Sequence, residues 1–179
     1  MNIFFLDRDP RIAAIYHCDK HVVKMILESA QLLSTSHRIL DGQMTAGKSK
    51  AGRNVKRWIL NDNRENILYQ AGHVNHPSAV WVRSHIDHYR YLYDLLQFLS
   101  DEYTYRYKKL HKCAQLLPAL FNSPINIECD SSWQDPPQAM PDDVKVVGDP
   151  VTAYRNYYIN YKHDFAKWTR REKPDWWNK

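Results

Sequence analysis

The sequence predicts an all-α fold: a compact bundle of about three long helices, with short helices and an ordered Pro-rich loop. Apolar residues recur at helical spacing over residues 10–40 and again over residues 80–99, the periodicity of helices that bury one face. Strand signals, the alternation of β-branched and aromatic residues with polar ones, are weak throughout. The prolines at 118, 124, 136, 137, 141 and 150 deny residues 118–150 any long regular element, since each lacks a backbone donor and clashes with a helical turn. With 179 residues the chain fits one domain, 1–179, large enough to bury a core without staples.

The elements follow in chain order. Residues 2–6 form either a short strand or an apolar plug. "DRDP" then supplies an N-cap, Asp9, with Pro10 at the first helical position, so the first helix runs from about Pro10 to Leu40. "DGQMTAGKSKAGRN", residues 41–54, holds three of the five glycines with Lys48, Lys50 and Arg53 and is expected to be an exposed basic loop, in contact with phosphates or merely flexible. A shorter amphipathic piece covers Val55 to Gln70. "AGHVNHPSAVWVRSHIDHYRYLYDLLQFLS" opens with a Gly turn and a Pro suited to a helix start, and Val80, Val82, Ile86, Tyr89, Leu92, Leu95, Leu96 and Leu99 give a second long helix, broken near Ser100. The Pro-rich loop wraps the surface, a last helix spans about Val151 to Trp168, and residues 169–179 form an aromatic and basic tail.

Composition narrows the function. Five glycines are too few for a glycine-cradled nucleotide site. The net charge of +5 and pI near 9.0 favour an acidic partner, nucleic acid being the commonest. Cys18, Cys113 and Cys129 are odd in number and lack CxxC spacing, which fits a reducing cytoplasm better than a disulfide framework. No basic leader and no run of about 18 apolar residues are present, so neither export nor a membrane is expected.

The chemistry concentrates in "YHCDKHVVKMILESAQLLSTSH". At about 100° per residue, His17, His21, Lys24, Glu28, Gln31 and Thr35 fall within about 40° of one line. Ile15, Val22, Val23, Met25, Ile26, Ala30, Leu32 and Leu33 flank this seam and are expected to be buried. Such a seam is either a wet face, with Lys24 and Glu28 an ordinary i,i+4 pair, or the wall of a cleft. As a wall it offers acid/base chemistry: like charge from Lys20 and burial would make the Lys24 amine more available, while His21 or Glu28 moves protons. His17 and His21 also have the i,i+4 spacing of metal ligands, and His73, His76, His85 or His88 could add a third, but the Glu of HExxH is missing and no third ligand is clear. No metal and no cofactor is assigned.

Two further stretches fit nucleic acid. "GHVNHPSAVWVRSHIDHYR" puts His73 and His76 before a helix start, where N–H groups attract anions, with Arg83 two turns on as a phosphate contact. The alternative makes Trp81 and Tyr89 core and leaves His85 and His88 exposed. "AYRNYYINYKHDFAKW" interleaves Tyr154, Tyr157, Tyr158, Tyr161 and Trp168 with Arg155, Lys162 and Lys167, a pattern for stacking on bases and holding phosphates, or for packing an aromatic face inward.

In "NIFFLDRDP", "AGHVNHPSAVW" and "AYRNYYINYKHDF" the chain resembles the small all-helical phage pyrimidine-dimer DNA glycosylases of the endonuclease V type, which also act as abasic-site lyases. "CDKHVVKMILESAQLLS" is similar to an uncharacterised family common in large tailed phages. The resemblance implies three packed helices, a flipped-out nucleotide, and attack on C1′ by an N-terminal α-amine aided by a glutamate of the first helix. This chain departs from that pattern at Asn2, which is too large for efficient removal of Met1, and at His21, where the family's glutamate falls. The acid is therefore absent or moved to Glu28.

The expectation is a monomeric, phage-type cytoplasmic enzyme that acts on duplex DNA at C1′ of a damaged or modified nucleotide. Met1 or Lys24 is the amine, His17, His21 and Glu28 the acid/base groups, and Lys20, Arg83, His73, His76, Arg155, Tyr158 and Lys162 the nucleic-acid contacts. The alternatives are a non-catalytic nucleic-acid or host-protein binder on the same scaffold, and a His-based metal-dependent hydrolase or a DNA-modifying transferase.

Overall fold

The computed structural model describes residues 1–49, 51–130 and 133–177. Lys50 of the expected basic loop and Asn178 and Lys179 of the tail lie outside the described residues. The helices are α1 (Pro10–Tyr16), α2 (Asp19–Asp41), α3 (Arg64–Ile67), α4 (Pro77–Ser84), α5 (Ile86–Tyr107), α6 (Leu117–Leu120) and α7 (Pro150–Tyr161). Between α2 and α3 lies an antiparallel hairpin of β1 (Gln43–Lys48) and β2 (Asn54–Ile59). The molecule is therefore mostly helical rather than all-α.

α2 and α5 form the antiparallel centre. Asp19, opening α2, meets Arg106 at the end of α5, and His37 near the end of α2 meets Tyr89 near the start of α5. α1 and α4 pack on this pair. Residues 3–6 resolve to the apolar plug: Ile3, Phe4, Phe5 and Leu6 are all buried in the core. On α2, Val22, Met25, Ile26, Ala30, Leu32 and Leu33 are buried as expected, but Val23 stays exposed.

Each end of α2 is fixed by a fully buried arginine. Arg106 donates to the carbonyls of Ile15 and His17 and to the carboxylates of Asp19 and Glu102. It thereby holds the last turn of α1 open beside the first turn of α2, and the expected single helix is broken at His17 and Cys18, both extended. At the other end Arg38 places every guanidinium N–H, donating to the carbonyls of Trp58, Glu65, Leu68 and Tyr69 and to the Glu65 carboxylate. That clamp ties the hairpin base and the loop after it to the helix.

Three further boundaries differ from expectation. The "basic loop" and the start of the amphipathic piece are β1 and β2, paired from Gln43 with Ile59 to Lys48 with Asn54. The hairpin is largely exposed on both faces, so no face had to be apolar and the strand periodicity never appeared. The second long helix breaks at His85, not near Ser100; the His85 ring accepts the Asp87 N–H and caps α5, whose Ser100 hydroxyl simply returns to the Leu96 carbonyl. The last helix ends at Tyr161 rather than Trp168. The Pro-rich stretch is irregular apart from α6 and a short 3-10 turn at Asp142–Val144. It is pinned by Trp81 and His88 to Gln134 and by Tyr154 to the Pro137 carbonyl.

Candidate functional site

The site begins where the chain turns onto α2. Asn2 Oδ1 accepts the N–H groups of Ile3 and Phe4, and its amide donates to the Ala139 carbonyl. Phe4 takes φ of 52°, a left-handed conformation that is strained for a bulky residue. The kink sends the Phe4 ring inward onto His21, 4.2 Å between centroids, and turns the Asn2 N–H outward to Glu28 Oε2 at 2.8 Å. Met1's amine is no more than about 4 Å further along the covalent path. Glu28, with 14% of its side chain exposed, also pairs through Oε1 with Lys24 at 3.3 Å.

A second turn with a left-handed residue docks further along α2. Gly72 is docked on α2 by Thr35, whose hydroxyl accepts its N–H at 3.2 Å. His73 follows with φ of 50°, and His76 caps α4 by accepting the Ser78 N–H. His76 lies within electrostatic reach of Met1's ammonium and His73, which lower its pKa after burial does, and of Glu28, which opposes them. Among the described residues Phe4 and His73 are two of four non-glycine residues with positive φ, one packed near the start of α2 on His21 and the other following the Gly72 contact with Thr35. Arg83 stands behind this turn, donating to the Val74 carbonyl at 2.8 Å.

Beneath the surface the remaining seam residues are sealed. His17 is fully buried with Nδ1 against the Ala13 carbonyl at 2.6 Å and Nε2 unpartnered. His21, 5% exposed, takes a hydrogen bond at Nδ1 from the buried Tyr158 hydroxyl. Burial, then the positive charges of His17, Lys162 and Lys24, pushes the His21 pKa down to about 2. Burial brings His17, near Arg106, and His37, near Arg64, to about 4. His21 and Tyr158 therefore satisfy each other inside the protein, and Glu28 is the acid of the seam that meets solvent.

These histidines make stability pH-dependent. Their native pKa values lie below the ordinary 6.5, so between about pH 4 and 6.5 the unfolded chain binds more protons. Stability then rises with pH through this window and is lost on acidification, by up to about 1.4 kcal/mol per pH unit for each histidine. The urea midpoint should be level above about pH 7 and fall between about pH 6 and 5. An unchanged midpoint across that interval would show that the histidines are not buried neutral.

Around Phe4 and His21, near the start of α2, lies a cationic and aromatic rim. Lys162 sits 4.2 Å from the Tyr157 ring centroid and bonds its hydroxyl, and Lys20 sits 4.6 Å from the Phe165 ring. Phe4 stacks between His21 and Tyr157. Other candidates are placed differently. Arg155 is committed to the Leu6 carbonyl and Asp7 and lies over Tyr16 and Trp176. Lys24 is 64% exposed and ion-paired, so the burial that was to make its amine available is missing. Both His85 and His88 are buried with Trp81 and Tyr89, so the exposed alternative for them does not hold. His88 uses both ring nitrogens, one at the Trp81 carbonyl and one at the Gln134 N–H.

Among the described residues no three His, Cys, Asp or Glu side chains are grouped to hold a metal ion, and no helix is long and apolar enough to cross a membrane. A cavity of about 400 Å³ between Tyr89, Tyr93, Asp94 and Phe121 includes none of the site residues.

Sequence reasoning missed Asn2 as an anchor and Phe4 as the kink. An Asn one residue before an apolar run is a weak turn signal, and nothing in the sequence marks Phe4. Compared with known proteins, the chain matches no family model, no curated protein and no solved structure.

Proposed function

We propose that the protein acts on duplex DNA at C1′ of a displaced, damaged or modified nucleotide, with the Met1 α-amine as nucleophile and Glu28 as its acid/base partner. The observation that supports this is the 2.8 Å hydrogen bond from the Asn2 N–H to Glu28, which holds the residue next to Met1 on a carboxylate that also pairs with the exposed Lys24. In the reaction the amine lone pair attacks C1′ and the glycosidic electron pair leaves with the base; Glu28 takes one amine proton and returns it to O4′ as the C1′–O4′ bond opens, the second amine proton passes through solvent to the departing base, and a neutral imine remains on the opened sugar. Lys20, Lys24 and Lys162 hold the flanking phosphates, Tyr157 and Phe165 offer stacking faces, and His73 and His76 border the displaced nucleotide. His17, His21 and Tyr158 keep the floor rigid and dry.

Borohydride trapping on duplexes carrying an abasic site or a cyclobutane dimer tests this. A covalent adduct is expected from the protein and from Lys24→Ala, and none after acetylation of the Met1 amine or extension of the chain by residues before Met1. Loss of the adduct in Lys24→Ala alone would transfer the nucleophile to Lys24. Intact DNA binding with no adduct on any such substrate would leave a binding module without this chemistry.

A further inference from the structure

We infer that the β1–β2 hairpin is a nucleic-acid-binding arm that enters the major groove of B-form DNA beside the site. Residues 42–59 contain five lysines and arginines and no aspartate or glutamate. Elsewhere the chain has 20 of each sign, so the whole formal charge of +5 resides in this one element. A charged ribbon can serve simply to keep exposed edges from pairing with other chains. That role needs only scattered charge, and it does not explain the complete exclusion of acids from a chain with 20 of them.

The geometry suits a groove. Six pairs run from Gln43–Ile59 to Lys48–Asn54, a ribbon about 20 Å long. Its body neighbour is the end of α2, where Arg38 grips the Trp58 carbonyl. A free two-stranded hairpin is marginal in water, so this clamp is what lets it stand out from the protein. Gly47 adapts the ribbon surface to arginine: a Cβ there would lie 2.7 Å from Arg57 Cγ, so the absent side chain is what lets Arg57 lie across the strands. Past the strands Gly52 takes φ of 75° and donates its N–H to the Ser49 carbonyl. Among the described residues Lys48, Arg53, Lys56 and Arg57 form no ion pair; Lys48 bonds Asn54 and Arg57 the Lys48 carbonyl.

A two-stranded ribbon fits the roughly 12 Å major groove of B-DNA, whereas the deep, narrow major groove of A-form RNA is closed to side chains. α2 sets the spacing, since the rise from Glu28 to Asp41 is about 20 Å, or roughly 6 base pairs.

The inference rests on DNA as the partner but not on any chemistry at Met1. Its test therefore uses an intact, lesion-free duplex of about 20 base pairs, followed by fluorescence anisotropy across a salt series. The variant K48Q/R53Q/K56Q/R57Q, which removes four of the hairpin's five positive charges, should bind about 100-fold more weakly near 0.1 M salt, and its salt slope should fall by about 3–4. Lys56→Glu alone, exposed and unpaired, guards against a collapsed hairpin and should cost about 10-fold with unchanged melting temperature. The native protein should protect guanine N7 from dimethyl sulfate and bind duplex RNA more weakly. Equal affinity of native and variant proteins would overturn the arm while leaving the proposed function standing. Lost affinity without N7 protection would overturn groove entry, and no binding of this lesion-free duplex by the native protein would overturn the arm, while trapping on the abasic duplex decides the proposed function separately.

Discussion

Arg106→Ala is expected to lower stability by about 3–5 kcal/mol, the range for removing one partner of a buried ion pair. The guanidinium is fully buried, and its loss orphans the Ile15 and His17 carbonyls at once. Asp19 keeps the Thr169 N–H and hydroxyl, and Glu102 keeps Arg171, so the carboxylates are partly compensated while the carbonyls are not. Arg106→Lys should recover only a minor part, because one ammonium cannot reach acceptors spread around a planar fork. Urea unfolding at neutral pH measures both. A loss below about 1 kcal/mol for the alanine variant would mean that α1 and α2 are held in register by packing alone.

Glu28→Gln is the second large effect, this time on chemistry. The amide can still accept the Asn2 N–H, so fold and local geometry should persist within about 1 kcal/mol. It cannot take a proton, and the trapping rate on an abasic duplex should fall by about 10²–10⁴-fold, the usual share of a positioned acid/base group. Glu28→Ala separates two roles. If alanine and glutamine are equally slow, the carboxylate moves protons; if glutamine is near native and only alanine is slow, Glu28 is a positioning residue that fixes Met1 through Asn2. Full activity in both would remove Glu28 from the reaction.

The seam on α2 was legible from spacing, because one helix face is a local property. Its depth was not. His21 and Glu28 share that face, yet Phe4, Tyr158 and Phe165 close over His21, while Glu28 remains at the edge. Three ring nitrogens, those of His76, His85 and His111, accept backbone N–H groups at helix starts. His76, expected as a nucleic-acid contact, thus caps a helix, a use for which the sequence carries no separate mark.

The amino-acid sequence by itself determined the helices with one apolar face, the Asp9–Pro10 start, the irregular Pro-rich stretch and the concentration of positive charge in residues 42–59, since each follows from neighbours a few residues apart. Only the tertiary structure decided the break at His17 and Cys18, the hairpin and the hydrogen bond from the Asn2 N–H to Glu28. These depend on Arg106, Arg38 and Asn2, whose partners lie as far as 91, 31 and 137 residues away. A hydrogen bond across such separations leaves no periodicity behind, because either partner alone is an ordinary polar residue.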